Sequence, residues 1–502
     1  MIKSDSFLNF KELAIVLALC VITFSLANHI KDSNRSNYAG YGSDADAFID
    51  LARNYKIFGD LKFSPHMGYH SIPVNVESRS YTDGMTYLHT YPLLMSGISY
   101  ATGGDMIKAA HVINIFVFLL ISLSVFVSLK IFYKEECSER NWILFTIYII
   151  YNPSFIVFLA GIGIDLVMAG LMSFLFMLIL MLTLLESLKR SVFLLVVTGL
   201  VVYSFLLCFG RNNMVAYLLP IFVLLSVYSG VKKNNRNAVV FVLVILIILM
   251  SFSLQVLRMK RLTGEYVNSV NDGSAIFLNY VYYEIDKSDT KYYRWKEPAY
   301  TGELFLQLLK EGKTVNEAQL ALSRGYKIVT YAYIKEHPDK FRKVLYDNMK
   351  RIFTGRDYYW FPAVFLIKKS DVPDVIKKYH KEYPDMAYKN WKMKLIYELS
   401  DFIYYTIFCL IPFYSLMIVM LFYIYKLIKS GFAAVSSRET VLFIFSISTV
   451  VFLVATAHYL AMARYRLPAF IPFFLCVLCS ADYVIQLVGR VRGGSTVLLT
   501  KR

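Results

Sequence analysis

The chain has 502 residues, 57% of them hydrophobic and 16% aromatic, with a formal net charge of +17. Soluble proteins carry roughly 45–50% apolar residues, so the composition excludes an ordinary soluble protein and points to one that crosses a membrane many times. The charge might suggest nucleic acid, but the distribution of the basic residues excludes that partner: Lys130 to Arg140, Lys189 to Arg190, Lys232 to Arg236, Lys426 to Arg438 and Arg490 to Arg502 fall on one side when the apolar runs are counted alternately, as the positive-inside rule requires.

Apolar runs near the roughly 20 residues that a span needs occur at 11–29, 109–133, 141–160, 164–186, 191–209, 213–230, 238–257, 401–427, 440–459 and 467–488. They predict an all-α polytopic membrane protein with about ten transmembrane helices. The basic loops and both termini then face the cytoplasm, and the hydrophilic segments 30–108 and 258–400 face outward. The domains read as a transmembrane bundle over 1–257 containing the first outer loop (30–108), an extracytoplasmic unit over 258–400, and C-terminal transmembrane helices over 401–502. The first run has a second reading: Lys3, Lys11, the apolar stretch from Leu13 and Ser25-Leu26-Ala27 also fit a cleaved secretory signal.

In the first outer loop, "GYGSDADAFIDLARNYKIFGD" places Ser43 three residues before Asp46, an approximate capping box that predicts a helix starting at Ser43. At about 100° per residue, Asp44, Phe48, Leu51 and Tyr55 share one face, and Asp46, Asp50 and Arg53 the opposite one. Asp46 and Asp50 are accounted for by capping, the helix dipole and spacing to Arg53. Two readings stand for Asp44: a group carried into a contact zone, or a first-turn carboxylate favoured by the helix N-terminus. Further on, His66 and His70 are four apart, a metal spacing only on a helix, and Pro65, Gly68 and Pro73 argue against one. The expectation is no metal and no resident cofactor; a divalent ion on His66, His70, His89 and Asp83 is the alternative.

Asp165 stands at the outer junction between two apolar runs, where a charge is costly unless a site or a solvated turn receives it. Arg211 in "GRNN" lies at the outer end of a span, against the positive-inside trend. In the 258–400 unit, Thr314-Val-Asn-Glu317 is a capping box opening a helix that ends near His337-Pro338. Its aromatic clusters at 292–295 and 358–361 are sugar-stacking platforms, interface anchors or core. Arg464 and Arg466 flank the start of the last span at Pro468, where the helix dipole disfavours cations. A bound phosphate resolves that conflict, as do lipid headgroups or acids of the outer segments. Cys20, Cys208, Cys409, Cys476 and Cys479 lie in apolar runs and Cys137 in a loop, with no disulfide or zinc spacing.

The order of these features resembles the superfamily C glycosyltransferases, integral membrane enzymes that use polyprenyl-phosphate sugars, including the protein mannosyltransferase-like and aminoarabinose-transferase-like branches. The matching residues are Asp44 with Phe48 and Ala52, Asn152-Pro153 followed by Asp165, Arg211 with Pro220, and "RYRLP" at 464–468. The resemblance implies that a first-loop acid is the catalytic base, here Asp44 with Asp46 as its alternative, because Ala45 interrupts the usual adjacent pair of acids. It implies a helical bundle whose first loop forms short helices on the outer face. The expected activity moves a hexose or pentose from a polyprenyl-phosphate sugar to a glycan or lipid acceptor in surface glycan or lipopolysaccharide synthesis. Arg464, Arg466 and Arg211 would hold the donor phosphate, and Asp165 would be a second acid. The alternatives are an O-antigen polymerase or ligase, and a flippase or transporter of lipid-linked sugars; missing intramembrane charges and repeats weigh against transport.

Overall fold

The computed structural model describes residues 10–491 except 34–42, 60, 64–81, 84–89, 134–137, 186–187, 212, 268, 270–271, 283, 355–398, 400–401, 432–434 and 456–468; the side chains of 29–33, 43–47, 62–63, 82–83, 157, 160, 279, 349–354, 455 and 486–491 are also outside the description. The helices are α1 (Phe10–Ser33), α2 (Ser43–Phe58), α3 (Thr90–Ser99), α4 (Met106–Tyr133), α5 (Glu139–Phe145), α6 (Pro153–Ala160), α7 (Ile164–Leu184), α8 (Arg190–Gly210), α9 (Asn213–Val231), α10 (Asn235–Thr263), α11 (Asp272–Tyr280), α12 (Thr290–Tyr293), α13 (Pro298–Lys310), α14 (Val315–Glu336), α15 (Pro338–Thr354), α16 (Ile411–Ser430), α17 (Ser437–Ala455) and α18 (Phe470–Val491). Between α2 and α3, Lys62–Phe63 and Thr82–Asp83 form a two-residue antiparallel pair. The chain is an all-α polytopic membrane protein: among the described residues, eight helices are long and apolar enough to span, and Phe470–Ile485 is a shorter apolar helix.

The stretch expected as one span at 141–160 is broken. Pro153 has no N–H to donate and its ring clashes with a continuing helix, so α5 widens into a π-turn at Thr146–Ile150 and α6 starts afresh at Pro153. The carbonyls freed by the break are taken up locally: Asn152 Nδ2 donates to Tyr148 O at 3.1 Å and Thr23 Oγ1 donates to Ile150 O at 3.1 Å. Asn152 Oδ1 in turn accepts from Ser154 N at 3.0 Å, capping α6.

The other helices pack as hydropathy leads one to expect, around α7, the most buried of the spans. α4 approaches α7 closely at Gly170, where a Cβ would stand 2.5 Å from Val117 Cγ1. At one end of the bundle the basic loops meet: Glu12 pairs with Lys130, Arg140 and Tyr133 Oη with Asp482, and Lys426 with Glu439. Tyr228 Oη reaches Ser437 Oγ at 2.8 Å, and Arg236 stacks 4.4 Å over Phe193, tying the α8–α10 loops to the same end.

At the opposite end α10 leads, through Gly264 in the left-handed region (φ 76°), into α11–α15. Thr314 and Glu317 form the expected capping box, and α14 ends at His337 with Pro338 opening α15. Tyr292 is buried edge-on against Tyr333 at 5.1 Å and Trp295 against Tyr326 at 5.3 Å, so the 292–295 cluster is the core of this unit. The 358–361 cluster lies outside the described residues.

Candidate functional site

Four elements converge at the end of the bundle away from the basic loops: α2, the start of α3, the first turn of α7 and the last turn of α8. The α2 sequence alternates apolar and polar residues with helical period, and Phe48, Leu51 and Ala52 are buried while Arg53 is exposed. Position 44 shares the register of that buried face, and position 46 lies opposite. Asp44 and Asp46 both fall in the first turn of α2, with side chains outside the described part. Asp50 accepts from Asn54 Nδ2 at 3.3 Å, the residue next to the expected Arg53.

The Phe48 ring meets Tyr91 edge-on at 5.3 Å, joining α2 to α3. Tyr91 is fully buried, and its hydroxyl faces the Gly163 backbone at the N-cap of α7 without a hydrogen bond of ordinary geometry. Burial pushes its phenol up, which keeps the O–H a donor across the physiological range. Thr90 packs on the end of α8: a Cβ at Gly210 would stand 2.7 Å from Thr90 Oγ1 and 2.7 Å from Met168 Cε. Only glycine gives α3 and α7 this approach to the α8 terminus.

Asp165 and Arg211, 46 residues apart, are brought into one ion pair, Arg211 Nη1 donating to Asp165 Oδ1 at 2.7 Å. Asp165 is in the first turn of α7, where the helix dipole favours a carboxylate. Arg211 is the C-cap of α8, in extended backbone, where the dipole favours a cation. Two amides hold these termini. Asn114 Nδ2 donates to the carbonyls of Gly161, Phe158 and Leu159 (2.6, 3.3 and 3.3 Å), fixing the turn before α7. Gln255 Nε2 donates to Cys208 O at 2.7 Å and Phe209 O at 3.0 Å, closing the last turn of α8.

The arrangement presents a planar guanidinium held by a carboxylate, a set suited to an oxyanion or a sugar hydroxyl. Arg464, Arg466, His66, His70 and His89 lie outside the described residues, while Asp83 is in the short strand pair and Pro220 is inside α9. Thr90, Tyr91, Gly210 and Gln255 carry no signal in the sequence. The one hint was Pro92, a residue that favours a helix's first turn and here marks the start of α3 next to Asp165 and Arg211.

No family model and no curated protein matches the sequence. Two solved structures resemble the fold. The crystal structure of the Archaeoglobus fulgidus oligosaccharyltransferase in the apo form aligns with a TM-score of 0.50 and 11% identity over 99% of this chain and 54% of that one. The archaeal oligosaccharyltransferase AglB from Archaeoglobus fulgidus, in complex with an inhibitory peptide and a dolichol-phosphate, aligns with a TM-score of 0.43 and 12% identity over 97% and 53%. The chain thus has the fold of a solved oligosaccharyltransferase and spans about half of that protein's length.

Proposed function

We propose that this protein is a membrane glycosyltransferase that moves a sugar from a polyprenyl-phosphate donor to a glycan or lipid acceptor at the outer face of a bacterial plasma membrane. The observation that carries the reading is the buried Asp165–Arg211 pair, set beside α2 and α3 in a chain whose fold is that of an oligosaccharyltransferase. Asp44 takes the proton of the acceptor hydroxyl as its oxygen attacks the anomeric carbon. The bond from that carbon to the phosphate oxygen breaks, and its electron pair leaves with the lipid phosphate. Arg211, Arg464 and Arg466 stabilise the charge that develops there, while Asp165 orients the Arg211 guanidinium. Asp46 is the alternative base.

Purified protein should transfer radiolabelled sugar from a polyprenyl-phosphate donor to an acceptor extract, consuming the donor. An O-antigen polymerase or ligase would instead need a diphosphate-linked chain, and a flippase would move the donor across a vesicle without consuming it. Cysteines introduced at Ser43 and Ser370 should react with an impermeant thiol reagent on intact cells, and one at Asn234 should not. The reverse labelling pattern would place the proposed site in the cytoplasm and end this reading.

A further inference from the structure

The start of α3 holds two hydroxyls that packing does not account for. Thr90 and Tyr91 are 8% and 0% exposed, and neither Thr90 Oγ1 nor Tyr91 Oη has a hydrogen-bond partner among the described residues. A buried hydroxyl without a partner costs folding free energy that valine or phenylalanine in its place would not. Other buried hydroxyls without partners, such as those of Ser122, Ser124 and Ser204, sit inside long helices, where a rotation brings a carbonyl one turn back within reach. Thr90 is the first residue of α3, so no carbonyl one turn back belongs to its helix among the described residues, and Tyr91 Oη stands at the far end of a ring.

Both hydroxyls stand over the backbone that carries the ion pair. Tyr91 Oη faces Gly163, two residues before Asp165, and Thr90 Oγ1 lies against Gly210, one residue before Arg211. The ring of Tyr91 also rests on Phe48, one turn along α2 from Asp44. Two O–H groups and a guanidinium whose carboxylate partner is already engaged make a set dominated by donors. Such a set suits a ligand that only accepts.

We propose that Thr90 and Tyr91 bind the donor, their hydroxyls donating with Arg211 to the phosphate oxygens of the lipid-linked sugar. This rests on the reading above that Arg211 meets the donor phosphate, and it assigns two residues to that subsite. Entry of the phosphate requires α3 to part slightly from the α7–α8 junction. The contact that yields is that of Thr90 with Gly210, where the glycine offers no side chain to hold α3 in place.

The test uses full-length protein in nanodiscs with undecaprenyl phosphate, a lipid phosphate without sugar, as the probe, and reads affinity and melting temperature together. Thr90→Val and Tyr91→Phe should melt at or above the wild-type temperature yet bind the probe about tenfold more weakly, the scale of one hydrogen bond to a charged group. Thr90→Ser, which keeps the hydroxyl, should retain wild-type affinity. Unchanged affinity in both variants, with Arg211→Lys weakened, would overturn the hydroxyl assignment and leave the Arg211 reading standing. Lowered melting temperatures would make the hydroxyls structural and also overturn it. A wild-type protein that does not bind the probe would remove the phosphate reading and this proposal together.

Discussion

Among the described residues, Glu12–Lys130 and Asp165–Arg211 are well-buried ion pairs at opposite ends of the bundle, with side chains 12% and 8% exposed in the first and 9% and 13% in the second. Burial does not distinguish them. The surroundings do: Lys130 also lies 5.5 Å over the Phe126 ring, and the pair staples α1 to α4 within apolar packing. Asp165–Arg211 stands where four elements meet, beside two buried hydroxyls that packing leaves without partners. A buried pair is a weak source of stability in itself. What marks a site is the polar capacity left over around it, and beside Asp165–Arg211 that capacity is two hydroxyls at the start of α3, at an end of the bundle where four elements meet.

The largest expected effect tests whether chemistry belongs to that end at all. Asp44→Asn keeps volume and cap-compatible chemistry but cannot take a proton, so transfer by purified protein should fall by about 10²–10⁴-fold with expression unchanged. Asp46→Asn should lose far less, since asparagine keeps a structural hydrogen bond and the lost dipole interaction is worth about 0.3–1 kcal/mol. Loss of transfer in Asp46→Asn with a mild Asp44→Asn would give the base role to Asp46.

Next come the pairs themselves. Removing one charge, as in Lys130→Met or Asp165→Asn, strands a buried partner and should cost about 3–5 kcal/mol of stability at either end. Removing both charges separates the ends. Glu12→Leu with Lys130→Leu should restore the melting temperature and leave donor transfer intact. Asp165→Leu with Arg211→Leu should restore the melting temperature and leave transfer abolished. Equal behaviour of the two doubles would erase the distinction drawn between the ends.

The arginines of the last outer segment should have smaller effects. Arg464→Ala or Arg466→Ala removes hydrogen bonds to a charged group worth about 1.5–3 kcal/mol, so donor use should drop about tenfold or more. Lysine should rescue only in part, because the bidentate fork is lost. Donor kinetics unchanged in both singles and the double would remove these residues from the phosphate subsite.

Hydropathy made most spans legible, because about 20 apolar residues in lipid have no other stable form than a helix. It did not show the break within 141–160 although Asn152-Pro153 was in view, since an average over a window cannot register a single missing N–H. Asp165 and Arg211 were each visible as charges in costly places. Their pairing across 46 residues was not, because it depends on how α7 and α8 pack. Thr90, Tyr91 and Gly210 were invisible for a related reason: a hydroxyl or a glycine becomes informative only through what a neighbouring helix fails to offer it, or through how closely that helix comes.

The smallest effect is expected at Asp105, which lies at the same end of the bundle as Asp165 but is half-exposed and satisfied. Its Oδ1 accepts from Ile107 N at 2.9 Å and Lys108 N at 3.1 Å, capping α4. Asp105→Ala should lower stability by about 1 kcal/mol and leave donor affinity and transfer unchanged. The Lys108 amide, followed by the Ile107 amide and the Lys108 charge, holds this carboxyl below its ordinary value of 3.8. A carboxylate depressed by folding contributes its full stability above that ordinary value and loses it as pH falls through the lower folded value. The gap in melting temperature between wild type and Asp105→Ala should therefore be constant near neutrality and narrow only below about pH 4. A loss of transfer in Asp105→Ala at neutral pH, with the melting temperature little changed, would show that position at this end is enough to bring a carboxylate into the reaction, and the contrast between satisfied and unsatisfied groups would lose its meaning.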